Sequence, residues 1–253
     1  MSVTMVKDRI DLVLVRKGLA ESREKARLMV MLGKVYVDGE RVAKPDKRIE
    51  ASKDVEIRED GIPFVGFGAI KLSHAIRSLG ISVDGKVAVD IGSSTGGFVE
   101  CLLLCGAQRV YAIDVGRNLL HEKLRRDPRV VVKEGINARY LEFEHIGEYA
   151  HIVTVDVSFI SLKKIIPVTR RILKPGGILL SLLKPQFEVG RFEVGRGGIV
   201  RDGTKVQRVI EEIRHFGEKE GFRFKDIVES EREHERKNRE YFMLWEFPGI
   251  QDQ

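Results

Sequence analysis

Val87-Ala88-Val89-Asp90-Ile91-Gly92-Ser93-Ser94-Thr95-Gly96-Gly97-Phe98 is the stretch whose reading decides the fold. Its first five residues, mostly small and β-branched, predict a buried parallel strand. Glycines follow, which let a ligand lie against the backbone while the next helix offers its N-terminal N–H groups. In an open α/β sheet, such a corner at the carboxyl end of a first strand is a nucleotide site. Two details choose among nucleotides. Ser94 occupies the place of the second glycine of a dinucleotide fingerprint. Asp90 precedes the glycines, where it would repel a pyrophosphate and welcome a cationic aminoacyl group. Both favour S-adenosylmethionine over NAD. An ordinary strand-turn-helix corner without a ligand is the competing reading.

Downstream, strand and helix patterns alternate as a doubly wound sheet requires. Strands are expected at Val87–Ile91, Arg109–Asp114, Val130–Lys133, Ile152–Asp156, Ile178–Leu183, Phe224–Val228 and Tyr241–Trp245. Helices are expected at Thr95–Leu104, Leu119–Arg126, Ser161–Leu173 and Thr204–Glu220. The charged segment Glu229–Glu240 reads as a hairpin connection, which makes the last strand antiparallel. Seven strands with that ending suit a Rossmann-like methyltransferase better than a dehydrogenase. Asp114, about 20 residues beyond the glycines, can accept both ribose hydroxyls of an adenosine. Asn137 is placed for the adenine edge, although Asn is also a common turn residue. The candidate cofactor-binding set is Asp90, Gly92, Ser93, Ser94, Gly96, Gly97, Phe98, Asp114, Asn137 and Asp156. Asp156 ends the fourth strand and Lys184 follows the fifth, so both project into the ligand crevice. A lysine leaving an apolar strand is costly unless paired, so a structural ion pair between the two reads as well as a catalytic role.

Upstream lies a smaller module. Asp8–Lys17 and Ser22–Leu32 read as helices, Asp38-Gly39 as a hairpin turn, and Val55–Ile57 as a last strand. Residues 1–63 therefore form a small α+β domain, 64–68 a linker, and 69–253 the larger domain, which opens with a helix over Ala69–Leu79. Arg9-Ile10-Asp11, Ser22-Arg23-Glu24-Lys25-Ala26-Arg27 and Gly33-Lys34-Val35-Tyr36-Val37-Asp38-Gly39 make the module resemble the αL RNA-binding fold. That fold is shared by a ribosomal protein, tyrosyl-tRNA synthetases and several pseudouridine synthases. Arg23, Lys25 and Arg27 near a helix start could grip phosphates, with Arg9, Lys34 and Arg41 as further RNA-contacting candidates. Residues 1–65 hold 14 Lys and Arg against 12 Asp and Glu, so this expectation depends on clustering rather than on net charge. A merely solvated charged helix is the alternative.

The totals bound the classes. At 253 residues and 43% hydrophobic content the chain supports a proper core, and its net charge of +6 is compatible with a polyanionic partner. The two cysteines, Cys101 and Cys105, sit four apart on an expected helix. That spacing suits neither a disulfide nor a metal, so no metal and a reducing cytoplasm are expected. No signal peptide is apparent, and the apolar runs are too short to span a bilayer.

Across nearly its whole length the chain resembles the TlyA (hemolysin A) family of FtsJ-like ribosomal RNA ribose methyltransferases. The carriers are Val89–Phe98, Tyr111-Ala112-Ile113-Asp114-Val115-Gly116 and Asp127-Pro128-Arg129-Val130-Val131. Asp156-Val157-Ser158-Phe159-Ile160-Ser161-Leu162, Lys184-Pro185-Gln186-Phe187-Glu188 and Gly197-Gly198-Ile199-Val200-Arg201-Asp202 extend the match. The resemblance implies S-adenosylmethionine as cofactor, ribosomal RNA or a ribosomal subunit as partner, and a Lys-Asp-Lys-Glu tetrad for ribose 2′-O-methylation. Matched motif by motif, the tetrad falls on Lys71, Asp156, Lys184 and Glu240. Phe67 stands where the family usually has an arginine. Lys184 would be the base, favoured by a second cation at Lys71, with Asp156 and Glu240 orienting the lysines and the hydroxyl. An RNA-binding assembly factor that has lost turnover, a hemolysin-type factor and an NAD-dependent oxidoreductase are the competing functions.

Overall fold

The computed structural model describes residues 7–20, 23, 26, 29, 30, 34–42, 47–50, 52–58, 64–232 and 237–249. The chain divides into two compact units, residues 1–64 and 65–253.

In the first unit, β1 (Lys7–Arg9) leads directly into α1 (Ile10–Arg16), and β2 (Val35–Val37) turns back into β3 (Glu40–Arg41). The turn is built on Asp38 and Gly39, both at positive φ, as a tight hairpin demands. β5 (Val55–Ile57) adds to the other edge of β2. Ile10, Val13 and Leu14 of α1 bury against Val35, Val37 and Val55, which completes a small core. Two strands depart from expectation. β1 pairs with β4 (Arg48–Glu50), and neither was among the expected strands. Both are three residues long and mostly polar, and only Ile49 of β4 is buried, so neither shows a period-2 signal. Of the expected second helix, residues 23, 26, 29 and 30 are helical, while Ser22, Lys25 and Arg27 lie outside the described residues.

In the second unit, seven strands form one sheet. They are β6 (Val87–Ile91), β7 (Arg109–Asp114), β8 (Val130–Glu134), β9 (Ala150–Val155), β10 (Leu173–Leu183), β11 (Arg223–Glu229) and β12 (Tyr241–Phe247). Their spatial order is β11-β12-β10-β9-β6-β7-β8. β12 runs antiparallel to both of its neighbours, β10 and β11, and the five strands β6 to β10 are mutually parallel. The order reverses between β9 and β6, where an open α/β sheet leaves a crevice for ligands.

Alternation along the strands sends successive side chains to opposite faces. Val89, Ile91, Ile113, Val153, Leu179 and Trp245 join the core under α8 (Gly203–Lys219), which contributes Val206, Val209, Ile210 and Ile213. The other face meets α2 (Gly68–Ser78) and α3 (Gly97–Leu104), where Phe98 packs on Phe242 with ring centroids 5.8 Å apart.

Two expected helices are shorter in the structure. Leu119–Arg126 reduces to α4 (Glu122–Arg125), because the N–H groups of Asn118, Leu119 and Leu120 donate to the Glu134 carboxylate instead of starting a helix. Ser161–Leu173 breaks into a 3₁₀ turn at Leu162–Lys164 and a single turn at Ile166–Thr169. Pro167 has no N–H to continue a helix from the preceding turn and is tolerated only in a first turn. Leu173 already belongs to β10, whose pairing with β9 shifts register across the Pro175-Gly176-Gly177 irregularity. Among the described residues, no helix is long and apolar enough to cross a membrane.

Candidate active site

Strand parity assembles the site. Asp90 pairs with Thr154, Thr154 with Leu180, and Leu182 with Phe242. All four strands therefore send the same parity of residue to the α2–α3 face. Two residues beyond Thr154 comes Asp156, two beyond Leu182 comes Lys184, and two before Phe242 comes Glu240. The chain thus collects Asp156, Lys184 and Glu240 at one edge of one face, the face that α2 covers with Lys71.

The contacts follow that placement. Lys71 Nζ donates to Glu240 Oε2 at 2.6 Å. Lys184 Nζ lies 2.5 Å from Asp156 Oδ1 and donates to Ser158 Oγ at 3.1 Å. Lys184 is 9% exposed, so its ammonium relies on these two acceptors. All four expected tetrad residues come together as two crossed ion pairs. Ser158 is a partner that sequence reading missed, although it stands two residues beyond Asp156 in a quoted motif.

Two cavities meet at Asp156. The larger, of about 540 Å³, opens at the carboxyl ends of β6, β7 and β9. Of the expected cofactor residues, Gly92, Ser94, Asp114, Asn137 and Asp156 line it. Asp114 is held ready, with Oδ2 accepting from Ser94 N at 2.8 Å and Oδ1 from Gly116 N at 2.7 Å. Ser94 adopts a left-handed φ of 47° to make that contact. Gly92 cannot be another residue, since a Cβ there would lie 2.3 Å from the Asp156 carbonyl oxygen. Asn137 Oδ1 caps the following turn by accepting from Arg139 N, and the residue lines the cavity. Val115, Leu119 and Ile136 supply apolar wall that sequence reading missed, and Phe159, 90% exposed, stands at the rim with a φ of 64°. An acid for a ribose diol beside apolar wall for a base fits the nucleoside end of S-adenosylmethionine.

The smaller cavity, about 180 Å³, is lined by Phe67, Gly68, Lys71, Asp156, Asn238 and Glu240 among others. Asp156 lines both.

The remaining expected cofactor residues lie behind the cavity wall. Gly96 and Gly97 serve packing: a Cβ on Gly96 would strike Leu124, and one on Gly97 would come within 3.0 Å of the Ala69 backbone. Phe98 and Ser93 are buried. Asp90 is fully enclosed at 0% exposure. Its Oδ1 accepts the Thr154 hydroxyl at 2.7 Å, and its Oδ2 has no partner. Burial pushes its carboxyl up to about 8; the Thr154 bond opposes this, and the Asp156 and Asp114 carboxylates add to it.

In the first unit, Arg9 forks onto Asp11 with two hydrogen bonds of 3.1 Å, and Arg23 adds one of 3.0 Å. Both guanidinium groups remain partly exposed over the buried carboxylate. Asp11 is a partner that sequence reading missed. Arg41 is exposed on β3, and Lys34 is partly buried just ahead of β2.

Residues 64–247 match the FtsJ-like methyltransferase family, and residues 8–55 match the S4 domain. A Bacillus subtilis protein, YqxC, named provisionally as an rRNA methyltransferase, is 42% identical over 98% of this chain and 88% of its own. The Mycobacterium tuberculosis 16S/23S rRNA (cytidine-2′-O)-methyltransferase TlyA is 39% identical over 94% of this chain and 88% of its own. A solved structure from Streptococcus thermophilus, assigned as a hemolysin, superposes with a TM-score of 0.71 at 38% identity, covering 96% of this chain and 90% of that one.

Proposed function

The chain belongs to the FtsJ-like methyltransferases of the TlyA type, with an S4 domain in front, and on that premise we propose that it methylates the ribose 2′-oxygen of a cytidine in ribosomal RNA. The observation that carries this reading is Asp156, which forms wall of both the nucleoside-sized cavity and the cleft beside Lys71 and Glu240. A donor in the first cavity and a hydroxyl in the second would meet at one carboxylate.

When bound, S-adenosylmethionine supplies an electrophilic methyl group on a sulfonium. Asp114 would take the two ribose hydroxyls of that cofactor, with Gly92, Ser94 and Asn137 around it. The Asp156 carboxylate pairs with the Lys184 nitrogen and Ser158 Oγ accepts a hydrogen bond from it, which together fix that nitrogen at the junction. In its unprotonated form the Lys184 amine takes the proton of the RNA 2′-hydroxyl, which leaves the oxygen electron pair free to attack. Lys71 and Glu240, paired across the cleft, orient that hydroxyl. The S4 domain, residues 1–63 up to a 64–68 linker, would add RNA affinity through Arg9, Arg23, Lys25, Arg27, Lys34 and Arg41. A ribosomal RNA or ribosomal-subunit substrate supports a cytoplasmic location.

Single-turnover methylation of ribosomal RNA tests the reading. Lys184→Ala should lower the rate by about 10² or more, the usual span for a general base, while S-adenosylhomocysteine still binds. Wild-type turnover in this variant at neutral pH would reject the lysine base.

A further inference from the structure

Glu188 closes the Lys184-Pro185-Gln186-Phe187-Glu188 segment and has no part in the proton transfer. It is nevertheless half-buried against the loop that follows β9. Its Oε2 accepts from Ser161 Oγ at 2.6 Å and its Oε1 from Leu162 N at 2.7 Å. Ser161 Oγ in turn accepts from Lys163 N at 3.1 Å, which commits its own hydrogen to Glu188. The carboxylate therefore ties the end of the loop after β9 to the single helical turn Pro185–Glu188 that follows β10.

Those two loops carry the opposing halves of the reactive ion pair. Asp156 and Ser158 stand on the first, Lys184 at the root of the second, and Lys184 contacts both. Phe159 and Phe187 add a further link, with ring centroids 5.0 Å apart. At one end of this double loop the β9–β10 pairing fixes the backbone. At the other, Glu188 supplies the described polar contacts, and Phe159 itself is almost wholly in solvent. A lysine nitrogen must be held to within a fraction of an ångström for proton transfer, and a hinged partner loop cannot do that.

We propose that Glu188 is a positioning residue for methyl transfer, clasping the loop of Asp156 and Ser158 onto the loop of Lys184 so that the amine is held at the junction of the two cavities. The inference rests on the function proposed above, yet the clasp itself has a readout that does not require activity.

The test compares wild type, Glu188→Ala and Glu188→Gln by hydrogen–deuterium exchange over residues 157–162, by S-adenosylhomocysteine binding and by single-turnover methylation. The amide of Gln keeps an acceptor for the Leu162 N–H, so it should preserve the clasp. In Glu188→Ala, exchange at Leu162 should speed up at least tenfold and the rate at saturating RNA and cofactor should fall at least tenfold. The KM for RNA should stay within about twofold, and Glu188→Gln should recover both readouts to within about threefold. Unchanged exchange in Glu188→Ala overturns the clasp whatever the activity. Faster exchange with a wild-type rate, a loss that Glu188→Gln fails to rescue, or a rate loss that merely tracks the unfolded fraction overturns the positioning role. Were wild type itself inactive on ribosomal RNA while exchange behaved as expected, the assigned reaction and with it the positioning role would fall, and the clasp would stand.

Discussion

Among the described residues two aspartates are fully enclosed, one in each unit, and their surroundings drive them in opposite directions. Asp11 and Asp90 are both 0% exposed. Asp11 receives three hydrogen bonds from two guanidinium groups. Burial alone would raise its carboxyl, but the bonds and charges of Arg9 and Arg23 outweigh this and hold it below the ordinary carboxylate value. Asp90 receives one hydroxyl bond and faces two further carboxylates, so burial wins and its carboxyl rises to about 8. Neither side chain reaches solvent, yet Asp11 is held toward the anion while Asp90 is pushed toward the neutral acid. Depth sets the cost of a charge; partners decide whether the charge is kept.

The largest expected effect breaks the charged case. Asp11→Ala leaves two guanidinium groups converging on an uncompensated pocket and should destabilise the S4 unit by about 3 kcal/mol, the low end for a broken buried pair because both arginines retain solvent. Chemical denaturation of the full chain, followed through Tyr36, half-buried on β2 beneath Arg58, measures this. A loss under 1 kcal/mol would mean that the buried charge was never dependent on its partners. The pH sign follows from the lowered value: the stabilisation by Asp11 is present above the unfolded carboxylate pKa and is lost as pH falls through its folded value.

A smaller effect sharpens the neutral case. For a raised carboxyl the linkage runs the other way. The contribution of Asp90 to stability is fully present below about pH 4 and declines as pH rises toward about 8, because the folded state holds a proton that the unfolded state releases. Asp90→Asn keeps an acceptor for Thr154 and has no proton to lose. The difference in Tm between wild type and this variant should therefore change steadily in the variant's favour from pH 5 to pH 8.5. A constant difference across that range would show that Asp90 is already ionised when buried.

The smallest effect concerns Arg23, half in solvent. Arg23→Ala should cost the fold no more than about 1 kcal/mol, since an exposed partner contributes little. In RNA binding the same change should weaken affinity and flatten its dependence on salt, as one fewer phosphate is neutralised. Binding with an unchanged salt slope would assign Arg23 to Asp11 alone.

Much of this arrangement was legible in the residues. The small β-branched strand ahead of the glycines, the acid ending the next strand, and the charged connection before Tyr241 are local signals, and each element stands where its pattern placed it. Asp156 and Lys184 were legible from their places at strand ends, but Lys71 and Glu240 only through resemblance: they are separated by 169 positions, and nothing in their neighbourhoods announces that they touch. Gly96, Gly97 and Phe98 carry the same motif signal as Gly92, yet they turn to helix packing while Gly92 lies beside the cavity. A motif records where a backbone must turn, without recording which of its atoms a ligand reaches.

What the sequence by itself determined is periodicity and turn chemistry, because side-chain alternation and the conformational preferences of Gly, Pro and Asp act over a few residues. These were sufficient for two units, seven strands and an antiparallel ending. Tertiary structure decided pairings that no local pattern showed. Thr154 comes to Asp90 across 64 positions, Glu188 reaches Ser161 across 27, and β4 pairs with β1 despite showing no strand pattern. In a low-dielectric interior a polar group's state depends on the few atoms within reach, and only the folded chain determines which atoms those are.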